Sequence, residues 1–404
     1  MLLYCVVSGM LGKPVKNGVI DRIMGHLGEM SLSIKPVRSK RDLRRFIDLP
    51  AELHRDHKTW VPPLRIMERR YFNPKINTSL KTCQTSMVLA YRNSTAVGRI
   101  MVGVHHKYNT LRGERNARFS LFECTNEPEV AQSLLEYAEQ WACKRGMKKI
   151  VGPMGLSEDA PEPQGFLVEG FEHNPSILTN CNFEYIVEFL AAAGYDKEVD
   201  YVVYKIPIPE KMPDLYERIH QRVMKKREYR LLDCSKRRDL RPYAKQVLRL
   251  MNESYLGLYG YLPRDDREEI AFPVIALNIF DPRFVQLVSY RNEIVGFVLA
   301  LPNVSKGIRR SKGKLLPLGF IPILREAKRS KQLDLLLGGI KKEHRGKGID
   351  VLMGYRMFVK AREAGFAYMD SHLELETNTL IRREMEAMQG KVYKRFRIFQ
   401  KSLS

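Results

Sequence analysis

The chain has 404 residues, of which 44% are hydrophobic and 28% are charged. These proportions exclude a largely disordered chain, and the length predicts two domains of roughly 200 residues each. The formal net charge is +22, so we expect an anionic partner such as a nucleotide-containing cofactor, an acidic lipid surface or RNA.

The six cysteines include no Cys-x-x-Cys pair. This argues against a metal site and a disulfide framework, and it favours a reduced, cytoplasmic setting. No apolar run approaches the roughly 20 residues of a membrane span. The apolar segment 2–11 lacks a preceding basic region, so we do not expect a secretory signal. We expect residues 1–32 to be a flexible extension, with Met30 as a natural start.

The first half is predicted to mix strands and helices. The predicted elements are a strand at 34–37, a helix from 39 to 49, a hairpin within 86–104, a strand at 117–122, a helix at 130–144, a strand at 148–151, a helix at 183–193 and a strand at 201–208. The stretch 152–172 has four glycines and three prolines, which is typical of a long loop that lines a site.

Residues 209–229 are predicted to be a basic linker. The stretch 222–249 is dense in Lys and Arg, but no aromatic residues alternate with them, so a solvated helix is favoured over an RNA-binding surface. The second half then repeats the order of the first: helix 240–256, hairpin 284–301, strand 333–340, helix 347–364, strand 367–375, helix 380–388 and strand 392–401.

An internal repeat supports this division. The segment Leu89–Asn93, with Val97-Gly98 after it, recurs as Val288–Asn292 with Val295-Gly296 after it. Asn182 precedes Gly194 by the same twelve residues that separate Asn378 from Gly390. Two matched landmarks in the same order predict a duplicated unit.

A basic glycine loop, Arg345-Gly346-Lys347-Gly348-Ile349, follows the apolar strand at 335–340 and opens a predicted helix. Glycines let an anion approach the backbone, and a helix start offers free N–H groups. An ordinary strand-to-helix turn with solvated basic residues would give the same pattern. The corresponding segment of the first half, Glu123–Glu129, has three carboxylates and no glycine, so we expect only the second half to bind an anion.

This order of elements resembles the GNAT superfamily of acyl-coenzyme A dependent N-acyltransferases. The segment Glu343–Gly348 resembles the family's (Gln/Arg)-x-x-Gly-x-(Gly/Ala) loop and departs from it at Glu343. Residues 230–404 resemble a complete unit, and residues 33–208 a degenerate copy. The segments Gly165–Phe171 and Leu316–Phe320 are similar to those of tandem-GNAT bacterial proteins. The resemblance implies an α/β (α+β) fold with a mixed sheet in two tandem GNAT-like domains.

The resemblance also implies the cofactor-binding residues. Backbone N–H groups of Arg345, Gly346, Lys347, Gly348 and Ile349 would hold the pyrophosphate of acetyl-CoA or another acyl-CoA. The strand 335–340 would splay from its neighbour and pair with the pantetheine arm, in particular through Leu337, Gly338, Gly339 and Ile340. Asn378 would cap the next helix or hold a backbone group at the coenzyme.

Catalysis in this family usually needs a base and an acid. Alternation along the strand 367–376 predicts that Asp370, His372, Glu374 and Glu376 share one polar face, and Glu374 is the preferred base, with His372 beside it. An exposed strand with one polar face would look the same. The family's tyrosine acid is replaced by Met385, so Tyr393 is the remaining candidate acid.

Other side chains have weaker predicted roles. His344 is expected to be a loop residue at the mouth of the site. Tyr255, Tyr259 and Tyr261 could shape an acceptor pocket, although packing roles are equally consistent with the sequence.

The predicted function is transfer of an acetyl or longer acyl group from acyl-CoA to an amine acceptor. Two alternatives stay open: a tRNA-dependent aminoacyl transferase of the same fold, and a non-catalytic coenzyme-binding or scaffolding protein. Nucleic acid is not the expected partner, whereas peripheral contact with an anionic membrane is compatible with the charge. The acceptor does not follow from the fold.

Overall fold

The computed structural model describes residues 32–77, 79–156, 163–262 and 280–403. The predicted extension at 1–32 lies outside these residues, apart from Leu32. The described chain is a mixed α/β structure built on one fourteen-stranded sheet to which both halves contribute. The predicted fold class is therefore confirmed.

The first half extends from β1 to β7. Its strands are β1 (Leu32–Pro36), β2 (Gln84–Arg92), β3 (Thr95–Val104), β4 (Asn116–Cys124), β5 (Lys149–Gly152), β6 (Phe166–Glu169) and β7 (Asp196–Pro207). Its helices are α1 (Lys40–Leu53), α2 (Arg65–Tyr71), α3 (Ser79–Thr82), α4 (His106–Arg112), α5 (Pro128–Cys143) and α6 (Glu184–Ala192).

The second half extends from α7 to β14. Its helices are α7 (Asp214–Lys226), α8 (Arg237–Leu240), α9 (Ala244–Tyr255), α10 (Ser305–Arg310), α11 (Phe320–Arg329), α12 (Ile349–Glu363) and α13 (Thr379–Ala387). Its strands are β8 (Tyr229–Leu231), β9 (Val285–Tyr290), β10 (Glu293–Pro302), β11 (Gln332–Ile340), β12 (Tyr368–Asp370), β13 (Glu374–Leu375) and β14 (Lys391–Ser402).

Both predicted hairpins form, and each closes through a two-residue turn. Asn93 and Ser94 have φ of 48° and 65°, and Arg291 and Asn292 have φ of 48° and 66°. Turns with two left-handed residues match the twist of antiparallel strands. The repeated Tyr-Arg-Asn segment therefore lies at the hairpin turn of each half, and the turn begins one residue later along the segment in the first half.

The halves exchange their last strands. β14 lies between β5 and β7 of the first half, and β7 pairs with β12 and β13 of the second half. The sheet is therefore continuous, in the order β1-β2-β3-β4-β5-β14-β7-β12-β11-β10-β9-β8. This exchange brings first-half residues next to the second half's candidate site.

Helices cover the sheet with apolar faces that the sequence periodicity predicted. On α5, Val130, Leu134 and Ala138 are fully buried, and they pack in a core with Ile100 and Phe119 of the sheet. On α12, the buried residues include Met353, Met357 and Ala361. Residues spaced three, four and seven apart lie on one helix face, which is why these helices were predictable.

Three features differ from the predicted elements. The long loop at 152–172 contains a short strand, β6, which pairs with β14. The segment predicted as a basic linker contains α7, which packs on α12. Between β10 and β11, residues 303–331 form an insertion with two helices, α10 and α11. Each of these depends on contacts with residues distant in sequence.

Candidate active site

The glycine loop joins β11 to α12. Gly346 and Gly348 have φ of 71° and 83°, a left-handed conformation that L side chains seldom adopt. Gly348 is the N-cap residue of α12, and no side chain caps that helix. Among the described residues, none accepts a hydrogen bond from the backbone N–H groups of residues 346–351. Free N–H groups at a helix start favour an anion.

Basic side chains surround this loop. Arg345 Nε donates to the Ile340 carbonyl at 3.1 Å, which leaves the rest of its guanidinium at the loop. An ideal Cβ on Gly348 would lie 2.8 Å from Val223 and 3.1 Å from Ile219, so α7 packs directly on the loop. The flank of α7 lines a shallow cavity through a polar, mainly basic set: Arg218, Gln221, Arg222, Lys225 and Lys226.

The first-half counterpart of this loop is occupied by its own ion pairs. Arg92 pairs with Glu127 at 2.7 Å and with Glu129 at 3.0 Å. Glu123 pairs with Arg99 at 2.8 Å. The carboxylates predicted to disfavour an anion in the first half are thus held by arginines of that half.

The edge of β11 opens toward the loop. β11 pairs with β12 in parallel only over residues 332–334, whereas β10 covers its other side up to Ile340. A bulge lies at Leu336, because Leu299 is paired with Leu337 and Ala300 with Leu335. Beyond Asp334, no described strand pairs with the open edge. This edge carries Leu337, Gly338, Gly339 and Ile340, the residues predicted to pair with pantetheine.

Tyr255 occupies part of the open edge. Its hydroxyl donates to the Gly338 carbonyl at 3.0 Å and accepts from the Gly338 N–H at 3.1 Å. One side chain thus satisfies both backbone groups of a residue that pairs with Val298 of β10 but has no strand partner on the open edge. An extended ligand that pairs with Gly338 must displace this hydroxyl.

The predicted alternation along 367–376 is wrong, because the strand is broken. β12 ends at Asp370 and β13 begins at Glu374. His372 between them has a φ of 60°, and its N–H donates to Asp370 Oδ1 at 2.7 Å. This turn removes the period of two, so His372 and Glu374 are not neighbours on one strand face.

His372 is held by the first half. Its Nε2 contacts the Ile177 carbonyl at 2.8 Å. A carbonyl can only accept, so Nε2 carries the proton and Nδ1 is the remaining basic atom. Burial lowers the pKa of His372, which keeps the ring neutral near pH 7.

Tyr393 belongs to a buried cluster centred on Asp370. The Tyr393 hydroxyl and Ser176 Oγ both donate to Asp370 Oδ2, and Lys394 Nζ pairs with the same oxygen at 2.8 Å. Burial opposes ionisation of Asp370, but the Lys394 ammonium and the hydrogen bonds from Lys394 and Tyr393 together outweigh it and hold the pKa of Asp370 below its usual value. Burial and the Asp370 charge raise the pKa of Tyr393, so this phenol keeps its proton.

Asp334 completes the cluster, and its pKa is shifted in the opposite direction. It accepts from Gln332 at 2.7 Å and from Asn303 at 2.9 Å. Burial and the nearby Asp370 charge raise the pKa of Asp334 well above its usual range. The cluster therefore connects the start of β11, the end of β12 and the swapped strand β14. It lies where β11 and β12 are still paired.

Two carboxyl groups near the open edge have raised pKa values. Burial, with Glu384 as a second cause, raises the pKa of Glu374 to about 8. Burial, with Asp350 of α12 as a second cause, raises the pKa of Glu384 to about 7. Such values suit proton transfer near neutral pH. The sequence analysis missed Glu384, because helical spacing does not reveal that α13 turns this residue toward α12.

Comparisons with known proteins bear on this geometry. No family model matches the chain. A bacterial ceramide synthase from Caulobacter vibrioides is 28% identical over 383 residues, covering 92% of this chain and 98% of that protein. Protein YghO from Escherichia coli is 22% identical over 381 residues, covering 92% of this chain and 95% of that protein.

A solved tandem GNAT protein from the clavulanic acid biosynthesis pathway superposes with a TM-score of 0.52 at 12% identity. The match covers 93% of this chain and 99% of that one. The chain has a tandem GNAT fold. The predicted resemblance is thus confirmed for the fold, and the ceramide synthase relative supports the prediction of an acyltransferase.

The structure also places three other residues that the sequence singled out. Asn378 occupies the N-cap position of α13, but its side chain makes no capping hydrogen bond; its coenzyme-binding role remains a prediction. Met385 is half-buried and packs against a core cluster. His344 is buried beneath the loop, where its Nδ1 contacts the Tyr229 hydroxyl at 3.0 Å, so it is not at the mouth.

Among the described residues, no group of three or more His, Cys, Asp and Glu side chains is arranged to hold a metal ion. In the same part of the chain, no helix has both the length and the apolar character to cross a membrane.

Proposed function

We propose that this protein transfers an acyl group from acyl-CoA to a primary amine. The observation that carries the proposal is the open edge of β11, which runs directly into a glycine loop with free N–H groups. A pantetheine arm has amide groups that pair with such an edge, and a pyrophosphate fits such a loop. The donor therefore lies along β11, with its pyrophosphate at residues 345–349.

The thioester then lies near the bulge at Leu336, toward the end where β11 is still paired with β12. A bulge leaves one residue outside the regular ladder, and its backbone groups are available to polarise the thioester carbonyl. The amine nitrogen attacks the carbonyl carbon, and the carbon–sulfur bond breaks. The products are an amide and the coenzyme thiolate.

Glu374 is the proposed base that takes the proton from the amine. With a pKa of about 8, a minor fraction is ionised at pH 7, and that fraction is a stronger base than an ordinary carboxylate. Glu384 is the proposed proton partner, since its pKa of about 7 allows it to give or accept a proton. The thiolate is a good leaving group, so the methionine at 385 does not prevent the reaction.

The proposed acceptor class is based on the bacterial ceramide synthase, which is 28% identical over almost its whole length. A ceramide is an amide of a long-chain amino alcohol. We therefore propose a long-chain lipid amine as acceptor, with a fatty acyl group as a donor to test beside acetyl.

Calorimetry of coenzyme A and acyl-CoA tests the donor site. Wild type is expected to bind, and Gly346→Asp with Gly348→Asp is expected to abolish binding, because two carboxylates then face the pyrophosphate. Absence of binding by wild type would overturn the proposal.

Turnover is tested by mass spectrometry with acyl-CoA donors of two to eighteen carbons and a panel of short and long-chain amines. Amide formation with a long-chain amine is the expected result. Coenzyme binding without turnover on any amine would favour a non-catalytic protein, and salt-sensitive tRNA binding without coenzyme affinity would favour an aminoacyl transferase.

A further inference from the structure

The insertion between β10 and β11 exposes several large apolar side chains. The exposed fractions are 80% for Leu316, 65% for Leu318, 57% for Leu324 and 42% for Phe320. No residue of α11 is buried. Single exposed apolar residues are common, but four within nine residues form a patch of the kind that marks an interaction site.

The first half extends this patch. At the start of α2, Ile66 is 54% exposed and Met67 is 36% exposed. The Arg65 N–H donates to the Gly313 carbonyl at 3.0 Å, so α2 begins beside the turn that precedes the exposed leucines. We call these six apolar residues and the basic residues around them the insertion surface.

Positive charge surrounds the apolar side chains. Residues 304–331 contain nine Lys or Arg and a single acidic residue, Glu326. Glu326 pairs with Arg310 at 3.2 Å and is largely covered. The exposed basic residues of the insertion surface are Arg65, Arg69, Arg70, Lys312, Lys314, Arg325, Lys328 and Arg329.

The insertion lies at the acceptor end of the site. It leaves β10 at Pro302 and returns at Gln332, the first residue of β11, whereas the glycine loop follows the other end. Nine residues of strand span about 30 Å. The proposed pyrophosphate site and the insertion are therefore at opposite ends of β11.

The insertion is also fixed to the first half. Arg309 donates to the carbonyls of Trp60 and Thr59 at 3.0 and 2.8 Å, and to Asn174 Oδ1 at 2.9 Å. The orientation of the surface is thus set by both halves.

We propose that the insertion surface docks on an anionic lipid bilayer. Apolar side chains ringed by Lys and Arg insert at the boundary between headgroups and acyl chains, while the basic residues pair with anionic headgroups. Docking at this end would let a lipid amine pass from the bilayer to the acyl group without crossing water. The passage of a lipid amine from the bilayer rests on the proposed function, whereas binding of the insertion surface to a bilayer does not require turnover.

Vesicle co-sedimentation tests the proposal with the full chain. Vesicles are phosphatidylcholine alone, or phosphatidylcholine with 30% phosphatidylglycerol. Wild type is expected to bind the anionic vesicles at least about tenfold more strongly than the neutral ones, since several basic residues meet the charged surface. The variant Leu316→Ser, Leu318→Ser, Phe320→Ser, Leu324→Ser is expected to lose about tenfold or more of this binding through lost apolar insertion.

Two further variants separate charge from general exposure. Lys312→Gln, Lys314→Gln, Arg325→Gln, Lys328→Gln is expected to remove most of the preference for anionic vesicles. The control Leu111→Ser, Leu380→Ser changes two leucines that are 52% and 65% exposed elsewhere, and its binding is expected to match wild type. Thermal melts establish that each variant is folded.

Three results would overturn the proposal: no binding of wild type to anionic vesicles, equal binding of the four-serine variant and wild type, or a dimer in sedimentation velocity that this variant dissociates without any vesicle binding. The last result would assign the surface to a second copy of the chain. Coenzyme calorimetry and turnover of a short soluble amine are measured separately, so failure of the proposed function is distinguishable from failure of the docking surface.

Discussion

At the scale of single residues, Glu374 and Tyr255 have different proposed roles. No hydrogen bond from another described residue reaches the Glu374 carboxyl, and its pKa is raised to about 8. Tyr255 is fully committed to Gly338. The first is the proposed base, whereas the second occupies the position of the proposed donor.

Replacing Glu374 by Gln is expected to reduce kcat at least about 100-fold, since general base catalysis contributes that much or more. Coenzyme affinity should stay within twofold. In wild type, kcat/KM should rise with pH up to about 8, because the carboxyl must lose its proton to act as a base.

Steady-state kinetics from pH 6 to 9.5 and calorimetry measure both effects. Glu376→Gln is the matched control, since Glu376 is already paired with Lys197 and Arg395. Unchanged turnover in Glu374→Gln would exclude Glu374 as the base.

Replacing Tyr255 by Phe is expected to tighten coenzyme binding. The hydroxyl makes two hydrogen bonds to Gly338 that the pantetheine must replace, and each contributes about 0.5–1.5 kcal/mol net. Together they amount to about 1–3 kcal/mol, so we expect the Kd to fall about fivefold or more on removal of the competitor. Calorimetry measures this, and weaker binding by Tyr255→Phe would mean that the hydroxyl contacts the bound coenzyme instead.

At the scale of elements, the loop between β11 and α12 depends on two glycines in different surroundings. An ideal Cβ at Gly346 meets no atom within 4 Å, whereas one at Gly348 lies 2.8 Å from Val223 of α7. Gly346 therefore leaves open space where the proposed pyrophosphate would lie, and Gly348 is needed for the packing of α7.

Alanine at each position separates these effects. Gly346→Ala is expected to cost about 1–2 kcal/mol of stability from its positive φ and to weaken coenzyme binding. Gly348→Ala should lose about 1–3 kcal/mol more, because the added methyl overpacks the contact with α7. Urea unfolding measures the stability of the two variants, and calorimetry measures their affinity for coenzyme A. Equal stability of the two variants would contradict the proposed packing of α7 on the loop.

At the scale of the whole molecule, the exchanged strands make the two halves one folding unit. Asp370 of β12, Lys394 of the swapped β14 and Ser176 of the first half meet in one buried cluster. Neither half can bury its own sheet edge without the last strand of the other.

Asp370→Asn is expected to cost about 3–5 kcal/mol in the free energy of unfolding, because it leaves Lys394 buried without its counter-charge. In wild type, the pKa of Asp370 is held below that of an unfolded aspartate. Its contribution is therefore complete above the unfolded pKa and is lost as the pH falls toward the folded value.

Urea unfolding between pH 3 and 7 measures this dependence. Asp370→Asn with Lys394→Met removes both charges and should recover part of the loss. A loss below about 1 kcal/mol in Asp370→Asn would contradict the importance of the pair.

The sequence by itself determined the hairpins, the covering helices and the glycine loop before α12. Those features depend on neighbouring residues: turn positions with positive φ, apolar residues at helical spacing, and glycines before a helix. The duplicated Tyr-Arg-Asn turn was readable for the same reason.

Only the tertiary structure decided which half each last strand joins, where the strand after Asp370 breaks, and which carboxyl lies beside Glu374. The break at His372 is stabilised by Ile177, which is 195 residues away, and Glu384 meets Asp350 from a different helix. Such contacts depend on how distant elements pack, so the local periodicity of the sequence does not predict them.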